Sequence, residues 1–189
     1  MSVRLETKRL ILRPFAAEDA AAVPAFAGRW EVAQMTARIP HPYPEDAAAA
    51  WIAGHAEARS TDSEYTFAVT LKDDGQVIGA AGLRRTEPGN MELGYVLAPE
   101  HWGRGLATEA AQALVVYGFE KLDAEALTSG HFADNPASGR VLEKAGFAAN
   151  GIARQWSEAR QDFVAANRFL LTRQTWRQAR EATTAGTGS

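Results

Sequence analysis

Two glycines separate a strand-like segment from a helix-like segment near the middle of the chain. Residues 91–97 alternate as a β-strand does, and residues 106–118 carry apolar side chains at helical spacing. Gly103 and Gly105 lie between them and flank Arg104. The first turn of a helix has N–H groups without partners, its dipole favours negative charge, and glycine lets an anion approach the backbone. The spacing therefore predicts an anion-binding turn that suits a phosphate-bearing ligand.

A second helix start lies further along the chain. Asn135 precedes Pro136, and asparagine at the N-cap with proline at the first helical position is typical of a helix N-terminus. Gly146 stands where a left-handed C-cap is expected, so the sequence predicts a helix over residues 136–145. Ser138 lies one turn into this helix, where it suits either a ligand contact or a solvated surface.

Composition restricts what the chain can do. Its 189 residues, 46% hydrophobic and 23% charged, are typical of one globular domain. There is no cysteine, which excludes a disulfide framework and a cysteine nucleophile, and no pair of histidines has metal-ligand spacing, so no metal is expected. A net charge of -3 and a pI near 5.8 do not favour nucleic acid as a partner. Without a signal peptide or a run of transmembrane length, we expect a cytoplasmic protein with no membrane association.

The elements that would position these residues form an α/β or α+β fold with a mixed sheet. We expect residues 1–178 to form a single domain and the residues 179–189 to be a disordered tail. The proline-rich residues 28–44 predict a loop. Strands are predicted over residues 7–15, 65–71, 76–84, 91–97, 126–132, 147 onward and 163–172, and helices over residues 17–26, 44–59, 106–118 and 136–145. Pro24 favours a kink or an early stop in the first of these helices.

Four segments, in this order and at this spacing, resemble the GCN5-related N-acetyltransferases (GNAT). Residues 101–110, His-Trp-Gly-Arg-Gly-Leu-Ala-Thr-Glu-Ala, preceded by Glu-Leu-Gly-Tyr-Val-Leu at 92–97, are similar to the acetyl-CoA motif of that family. Residues 135–147 are similar to its second motif. Residues 7–14 and 171–176 are similar to the ends of the RimJ/RimL-type branch, which is named for acetyltransferases of ribosomal-protein N-termini.

The resemblance covers nearly the whole chain and implies both a fold and a cosubstrate. The implied GNAT fold has a mixed, mostly antiparallel sheet of about six to seven strands flanked by about four helices. Acetyl-CoA is the implied cosubstrate, with its pyrophosphate on the glycine turn and its pantetheine arm on the backbone of Val96 and Leu97. The implied cofactor-binding residues are Val96, Leu97, Trp102, Gly103, Arg104, Gly105, Leu106, Ala107, Thr108, Asn135 and Ser138.

The implied reaction is direct attack of a primary amine on the thioester in a ternary complex. Glu92, at a position often acidic in this branch, is the candidate general base, and a surface carboxylate on the strand is the alternative. The N–H of Leu97 would polarise the thioester carbonyl. Leu142 stands where many relatives have a tyrosine and cannot donate a proton to the leaving thiolate. Either Ser138 or another group donates it, or CoA leaves as the thiolate.

The acceptor is left open by the sequence. A protein N-terminus, including a ribosomal one, is the leading hypothesis, and a small amine such as a polyamine, amino acid or antibiotic is the alternative. A polycationic acceptor would favour several carboxylates in the cleft, for which Glu92, Glu45 and Asp46 are candidates. The alternative to an enzyme is a non-catalytic module that binds acyl-CoA. The oligomeric state could be a monomer or a homodimer. A P-loop is disfavoured, because the Gly-Lys-Ser/Thr ending is missing.

Overall fold

The computed structural model describes residues 3–186, which form one eight-stranded sheet. Its strands are β1 Leu5–Glu6, β2 Leu10–Arg13, β3 Glu64–Leu71, β4 Val77–Glu87, β5 Asn90–Leu97, β6 Ala126–Phe132, β7 Ala148–Ser157 and β8 Asp162–Thr172. They lie in the order β1-β2-β3-β4-β5-β6-β8-β7, and only the β5–β6 pair is parallel among the described strands. The predicted mixed, mostly antiparallel sheet is confirmed, with the two-residue β1 added at its edge.

Helices cover both faces of this sheet. Within residues 3–186, two 3-10 helices span Ala17–Ala22 and Pro99–His101, and the α-helices are α1 Pro24–Ala27, α2 Trp30–Ala33, α3 Ala47–Ala53, α4 His55–Ser60, α5 Leu106–Glu120, α6 Pro136–Lys144 and α7 Arg173–Gly186. None of the described helices is both long enough and apolar enough to cross a membrane.

The main core lies between the sheet and α5. Leu106, Ala110 and Leu114 of this helix are almost fully buried against Met91 and Leu93 of β5. A smaller core on the opposite face joins α1 and α3 to β4. The predicted amphipathic helix after the glycines is therefore the central helix of the molecule, and its N-terminus is held at a fixed place beside β5.

One expectation for the helices was met and two were wrong in detail. The kink or early stop expected at Pro24 in the helix of residues 17–26 is present as a split into a 3-10 helix and α1, because Pro24 has no N–H to continue the first and takes the first position of the second. The helix predicted over residues 44–59 is divided at Gly54 into α3 and α4. A short helix, α2, lies within the segment that was predicted to be a loop.

The C-terminal helix α7 also differs from expectation. It includes residues 179–186 of the expected disordered tail, whereas residues 187–189 lie outside the described residues. Trp176 packs on Phe119 of α5 with ring centroids 5.0 Å apart, and Arg180 donates to Glu120 at 2.6 Å. These contacts with α5 explain why the helix continues beyond the predicted end of the domain.

A carboxylate on α5 ties the N-terminal segment to the start of that helix. The Thr7 hydroxyl and the Arg9 N–H donate to Glu109 Oε1 at 2.5 and 2.7 Å, and Arg9 Nε donates to Oε2 at 2.8 Å. Arg9 Nη1 also donates to the Arg104 carbonyl at 2.8 Å. Burial raises the pKa of Glu109, but these hydrogen bonds outweigh it and hold the pKa below its usual range. The network fixes the glycine turn against the sheet.

Glu109→Gln is expected to lower the free energy of unfolding by about 1–3 kcal/mol at pH 7, because charge-assisted hydrogen bonds become neutral ones. The folded-state pKa is depressed, so this stabilisation is present above the unfolded pKa and is lost as the pH falls through the folded pKa. Urea unfolding should therefore show the wild type and the variant converging below about pH 4. Glu143→Gln, at an exposed position on α6, is the control. Equal losses in the two variants would contradict this role of Glu109.

Candidate active site

A cleft of about 950 Å³ opens where β5 and β6 separate. These parallel strands are paired only over residues 90–92 and 126–128, although β5 continues to Leu97 and β6 continues to Phe132. The glycine turn and the start of α5 close one end of the cleft, and the start of α6 lies along its side. All of the predicted cofactor-binding residues line it except Arg104, and so do Glu92 and Ser138.

The glycine turn presents an unbroken run of free backbone donors. Gly103 and Gly105 have φ of +71° and +76°, in the left-handed region that favours glycine. Within the described residues, the N–H groups of residues 103–108 donate to no protein acceptor. A Cβ on Gly103 would meet nothing within 4 Å, so the backbone conformation and not internal crowding requires glycine there. Six successive donors at a helix N-terminus form a cradle suited to phosphate oxygens.

Trp102 fastens this turn to the end of β5. Its indole Nε1 donates to the Leu97 carbonyl at 2.8 Å, while the ring itself is 48% exposed. The Leu97 carbonyl points into the gap, where β6 no longer provides a partner. A side chain from the turn therefore satisfies the last carbonyl of β5 and sets the distance between the strand and the cradle.

The register of β4 and β5 decides which backbone groups face the gap. The Ala98 N–H donates to the Ile78 carbonyl, so alternate residues of β5 bond to β4, and Val96 is one of them. The intervening residues, Tyr95 and Leu97, direct their N–H groups into the gap. The N–H of Leu97 therefore faces the gap, as does that of Tyr95, whereas the N–H of Val96 is directed towards β4. All three residues line the cleft.

Two hydroxyls meet at the side of the cleft. Asn135 caps α6 as predicted, its side chain accepting from the Ser138 N–H at 3.3 Å. The Tyr95 hydroxyl lies 2.7 Å from Ser138 Oγ and 3.1 Å from the Ser138 carbonyl. Burial raises the pKa of Tyr95 to about 12, although the hydrogen bond with Ser138 opposes the rise. Leu142 is fully buried in the main core and takes no part in the cleft.

The opposite face of β5 carries the charged part of the cleft. Glu92 forms ion pairs with Arg84, its cross-strand neighbour on β4, and with Arg168 Nη1 of β8 at 3.8 Å. Its side chain is 25% exposed. The carboxylate of Glu92 is thus shared between two guanidinium groups, and its role as general base stays a prediction.

Positive side chains outnumber negative ones along the cleft. Glu64, the second carboxylate, accepts from the Thr66 hydroxyl at 2.8 Å and lies 4.0 Å from Arg38. Glu45 and Asp46, which were expected to be candidates for binding a polycation, do not line the cleft. The Lys and Arg residues that line it are Arg38, Arg84, Arg140, Lys144 and Arg168.

Sequence reasoning missed Tyr95, Arg84 and Arg168. Alternate residues of a strand direct their N–H groups to the same side, so the strand pattern that points to Leu97 also points to Tyr95. No comparable signal pointed to Arg168, which reaches the cleft from a strand distant in sequence. Within the described residues, no group of three or more His, Asp or Glu side chains lies at metal-ligand spacing.

Comparison with known proteins agrees with this architecture. Residues 9–148 match the family described as acetyltransferase (GNAT) domain. YoaA of Bacillus subtilis (strain 168), named as an uncharacterized N-acetyltransferase, is 32% identical over 154 residues, which cover 80% of this chain and 86% of that protein. The ribosomal-protein-serine acetyltransferase of Escherichia coli (strain K12) is 33% identical over 87 residues, or 45% of this chain and 48% of that protein. The predicted resemblance to the GNAT family is confirmed.

A solved structure shows the same fold. RimL, a ribosomal L7/L12 α-N-protein acetyltransferase in complex with coenzyme A, has a TM-score of 0.79 over 90% of this chain and 98% of that chain. The two sequences are 16% identical, so this likeness concerns the fold alone.

Trp102→Phe is expected to loosen the glycine turn while leaving the fold intact, because it removes only the indole donor to Leu97. The ¹⁵N relaxation order parameters of residues 103–105 should fall from about 0.85 toward 0.6. Trp156→Phe is the matched control, since it removes an indole N–H that donates to Glu158 at 3.1 Å on β7. Unchanged order parameters at residues 103–105 would show that Trp102 does not hold the turn.

Proposed function

This chain belongs to the GNAT family of acetyltransferases, and we propose that it transfers an acetyl group from acetyl-CoA to a primary amine. The observation that carries this proposal is the continuity of two sets of donors. Tyr95 and Leu97 line the same cleft as Gly103 and residues 105–108, so the unpaired N–H groups of the strand and of the turn belong to one site. A ligand with a phosphate-bearing end and an amide-bearing arm is the chemical match for that sequence of donors.

The cleft residues fit both the pyrophosphate and the pantetheine arm of acetyl-CoA. The cradle would hold the pyrophosphate, and Arg140 and Lys144 add positive charge along the cleft. The N–H groups of Tyr95 and Leu97 would pair with the pantetheine amides or the thioester carbonyl, as an added strand would. Bound acetyl-CoA supplies a thioester whose carbonyl carbon an amine can attack.

The transfer needs a neutral amine within a ternary complex. The new N–C bond forms as the C–S bond breaks, the amine nitrogen loses a proton, and the sulfur leaves as a thiolate that gains one. An α-amine with a pKa of about 8 is roughly one-tenth neutral at pH 7, so deprotonation costs only about 1 kcal/mol. A lysine amine with a pKa near 10.4 would cost more than about 4 kcal/mol. An α-amine is therefore the better match to a cleft whose carboxylates are already paired.

The hydroxyl groups of Tyr95 and Ser138 are suited to stabilise the thiolate of the departing CoA. When Tyr95 donates to Ser138 Oγ, the Ser138 hydroxyl hydrogen remains available to the sulfur. Full proton transfer from Tyr95, with a pKa of about 12, to a thiolate with a pKa of about 8.5 would cost roughly 5 kcal/mol. The pair would thus stabilise the thiolate by hydrogen bonding, and solvent would supply the proton.

The leading acceptor is the α-amine of a protein N-terminus. The name of the Escherichia coli relative, a ribosomal-protein-serine acetyltransferase, supports a ribosomal protein as one such acceptor. The excess of arginines in the cleft disfavours polyamines and other polycations. A cytoplasmic location and a monomeric or homodimeric state remain part of the proposal.

Gly103→Ala tests the cradle against a matched control. Gly75 has a φ of +74°, close to the +71° of Gly103, and a Cβ at either position meets nothing within 4 Å. Alanine should therefore cost each variant a similar free energy of unfolding, of about 1 kcal/mol. Only Gly103→Ala is expected to weaken acetyl-CoA binding, by roughly tenfold or more, as measured by calorimetry. Equal affinities in both variants would remove the cradle from the binding site.

The pH dependence of kcat in Glu92→Gln tests whether Glu92 is the general base. Because Glu92 is held by Arg84 and Arg168, we expect the variant to keep the wild-type pH dependence of kcat, with a rise through the amine pKa near ~8. Glu64→Gln, at the other carboxylate of the cleft, is the control. A loss of rate at pH 7 that disappears by pH 9 in Glu92→Gln alone would restore the predicted base role.

The activity itself is tested by following CoA release from acetyl-CoA with a panel of amines. Turnover with an α-amine supports the proposal. Binding of CoA without turnover, across peptides and small amines, would instead identify a non-catalytic acyl-CoA-binding module.

A further inference from the structure

Three arginines and two glutamates make up the charges of the cleft on the face of Glu92. Arg84 and Glu92 are opposite one another across β4 and β5, and Arg168 approaches Glu92 over Gly130 of β6. Arg38 lies near Glu64 at the edge. The face therefore has an excess of positive charge, whereas the chain as a whole has a net charge of -3.

The arginines retain donors that the protein does not use. The Nε of Arg84 is buried and has no hydrogen-bond partner within the described residues. The Arg168 guanidinium group makes no hydrogen bond in that part of the chain, and its contact with Glu92 is an ion pair at 3.8 Å. One carboxylate cannot neutralise two guanidinium groups, so Arg84 and Arg168 together can accommodate a second anion.

The sheet leaves space beside this pair. Gly82 and Gly94 are opposite one another and form the next step on this face of the sheet, two residues along each strand from Arg84 and Glu92. A Cβ on Gly94 would meet nothing within 4 Å, so its surface in the cleft is open. This open step lies between the arginines and the Leu97 end of β5. Gly94 is two residues from Glu92 and three residues from Leu97, or roughly 7 and 10 Å along the strand. An acceptor lying over Gly94 could extend from the arginines to the reacting end.

We infer that the acceptor amine carries a carboxylate, which Arg84 and Arg168 bind while the amine lies over Gly94. Glu92 is then a positioning residue that holds the two guanidinium groups at the same level of the sheet. This inference rests on the proposed acetyl transfer and adds the chemical class of the acceptor. A free α-amino acid and an acidic residue near a peptide N-terminus both present the required pair of groups.

Paired acceptors that differ only in the carboxylate test the inference. One pair is alanine and alaninamide, and the other is the dipeptide amides Ala-Asp-NH₂ and Ala-Asn-NH₂. The kcat/KM of the carboxylate member is expected to be higher by about tenfold or more in at least one pair. In the first pair the amide amine is the weaker base and is more often neutral, so its own chemistry favours the opposite result. The pair that shows the preference identifies the free amino acid or the peptide as the source.

Arg168→Gln should reduce that preference at least several-fold, through a larger loss of kcat/KM for the carboxylate member than for the neutral member, while leaving the affinity for acetyl-CoA unchanged. Arg154→Gln is the control, because this exposed arginine on β7 loses the same charge outside the cleft. Gly94→Val should raise the KM for both members without loss of acetyl-CoA binding, since it fills the open step and is compatible with a strand.

The outcomes separate the inference from the activity on which it rests. Equal kcat/KM within both pairs, with turnover present, overturns the carboxylate class and leaves the acetyltransferase intact. A preference that Arg168→Gln does not change overturns the assignment to this arginine. No turnover with any amine, despite acetyl-CoA binding, overturns the proposed function and the inference together.

Discussion

The separation of two parallel strands is the constraint on which this molecule depends. β5 and β6 share three residue pairs and then diverge, which leaves the backbone of Tyr95 and Leu97 without a strand partner. Buried backbone donors without partners are costly, so a sheet with such a gap needs something to complete it. Trp102 donates to the Leu97 carbonyl, and the N–H groups of Tyr95 and Leu97 face a cleft that continues into the glycine turn. A ligand with amides and phosphates would complete what the sheet leaves unpaired.

The rest of the fold holds the two sides of this gap in place. The main core buries α5 against β5, so that the N-terminus of the helix cannot move relative to the strand. Glu109 ties that helix to the N-terminal segment, and Arg9 extends the same network to the Arg104 carbonyl in the turn. On the other side, Asn135 starts α6 and Tyr95 bridges the gap to Ser138. The contacts of Glu109, Arg9 and Tyr95 join segments distant in sequence, so they bring the two sides of the cleft together.

Local signals in the sequence were sufficient to predict the elements that are proposed to bind acetyl-CoA. Glycine in the left-handed region, the Asn-Pro helix start and the apolar stripe of α5 each depend on residues close together in the chain. Contacts across the sheet were not predictable in the same way. Extending the Glu87–Asn90 hairpin without interruption would place Arg85 opposite Glu92, but a bulge shifts the register by one, so Arg84 takes that place. Arg85 instead pairs with Asp62, and Glu92 pairs with Arg84. The same dependence on register explains why Tyr95, and not Val96, faces the gap.

A crystal structure with CoA bound would test the central claim most directly. The account predicts pyrophosphate oxygens within hydrogen-bond distance of the N–H groups of residues 103–108 and pantetheine amides or the sulfur end beside the N–H groups of Tyr95 and Leu97. The gap between β5 and β6 would then be filled by the pantetheine arm. A pyrophosphate bound elsewhere, or a pantetheine arm that leaves Tyr95 and Leu97 without partners, would contradict it.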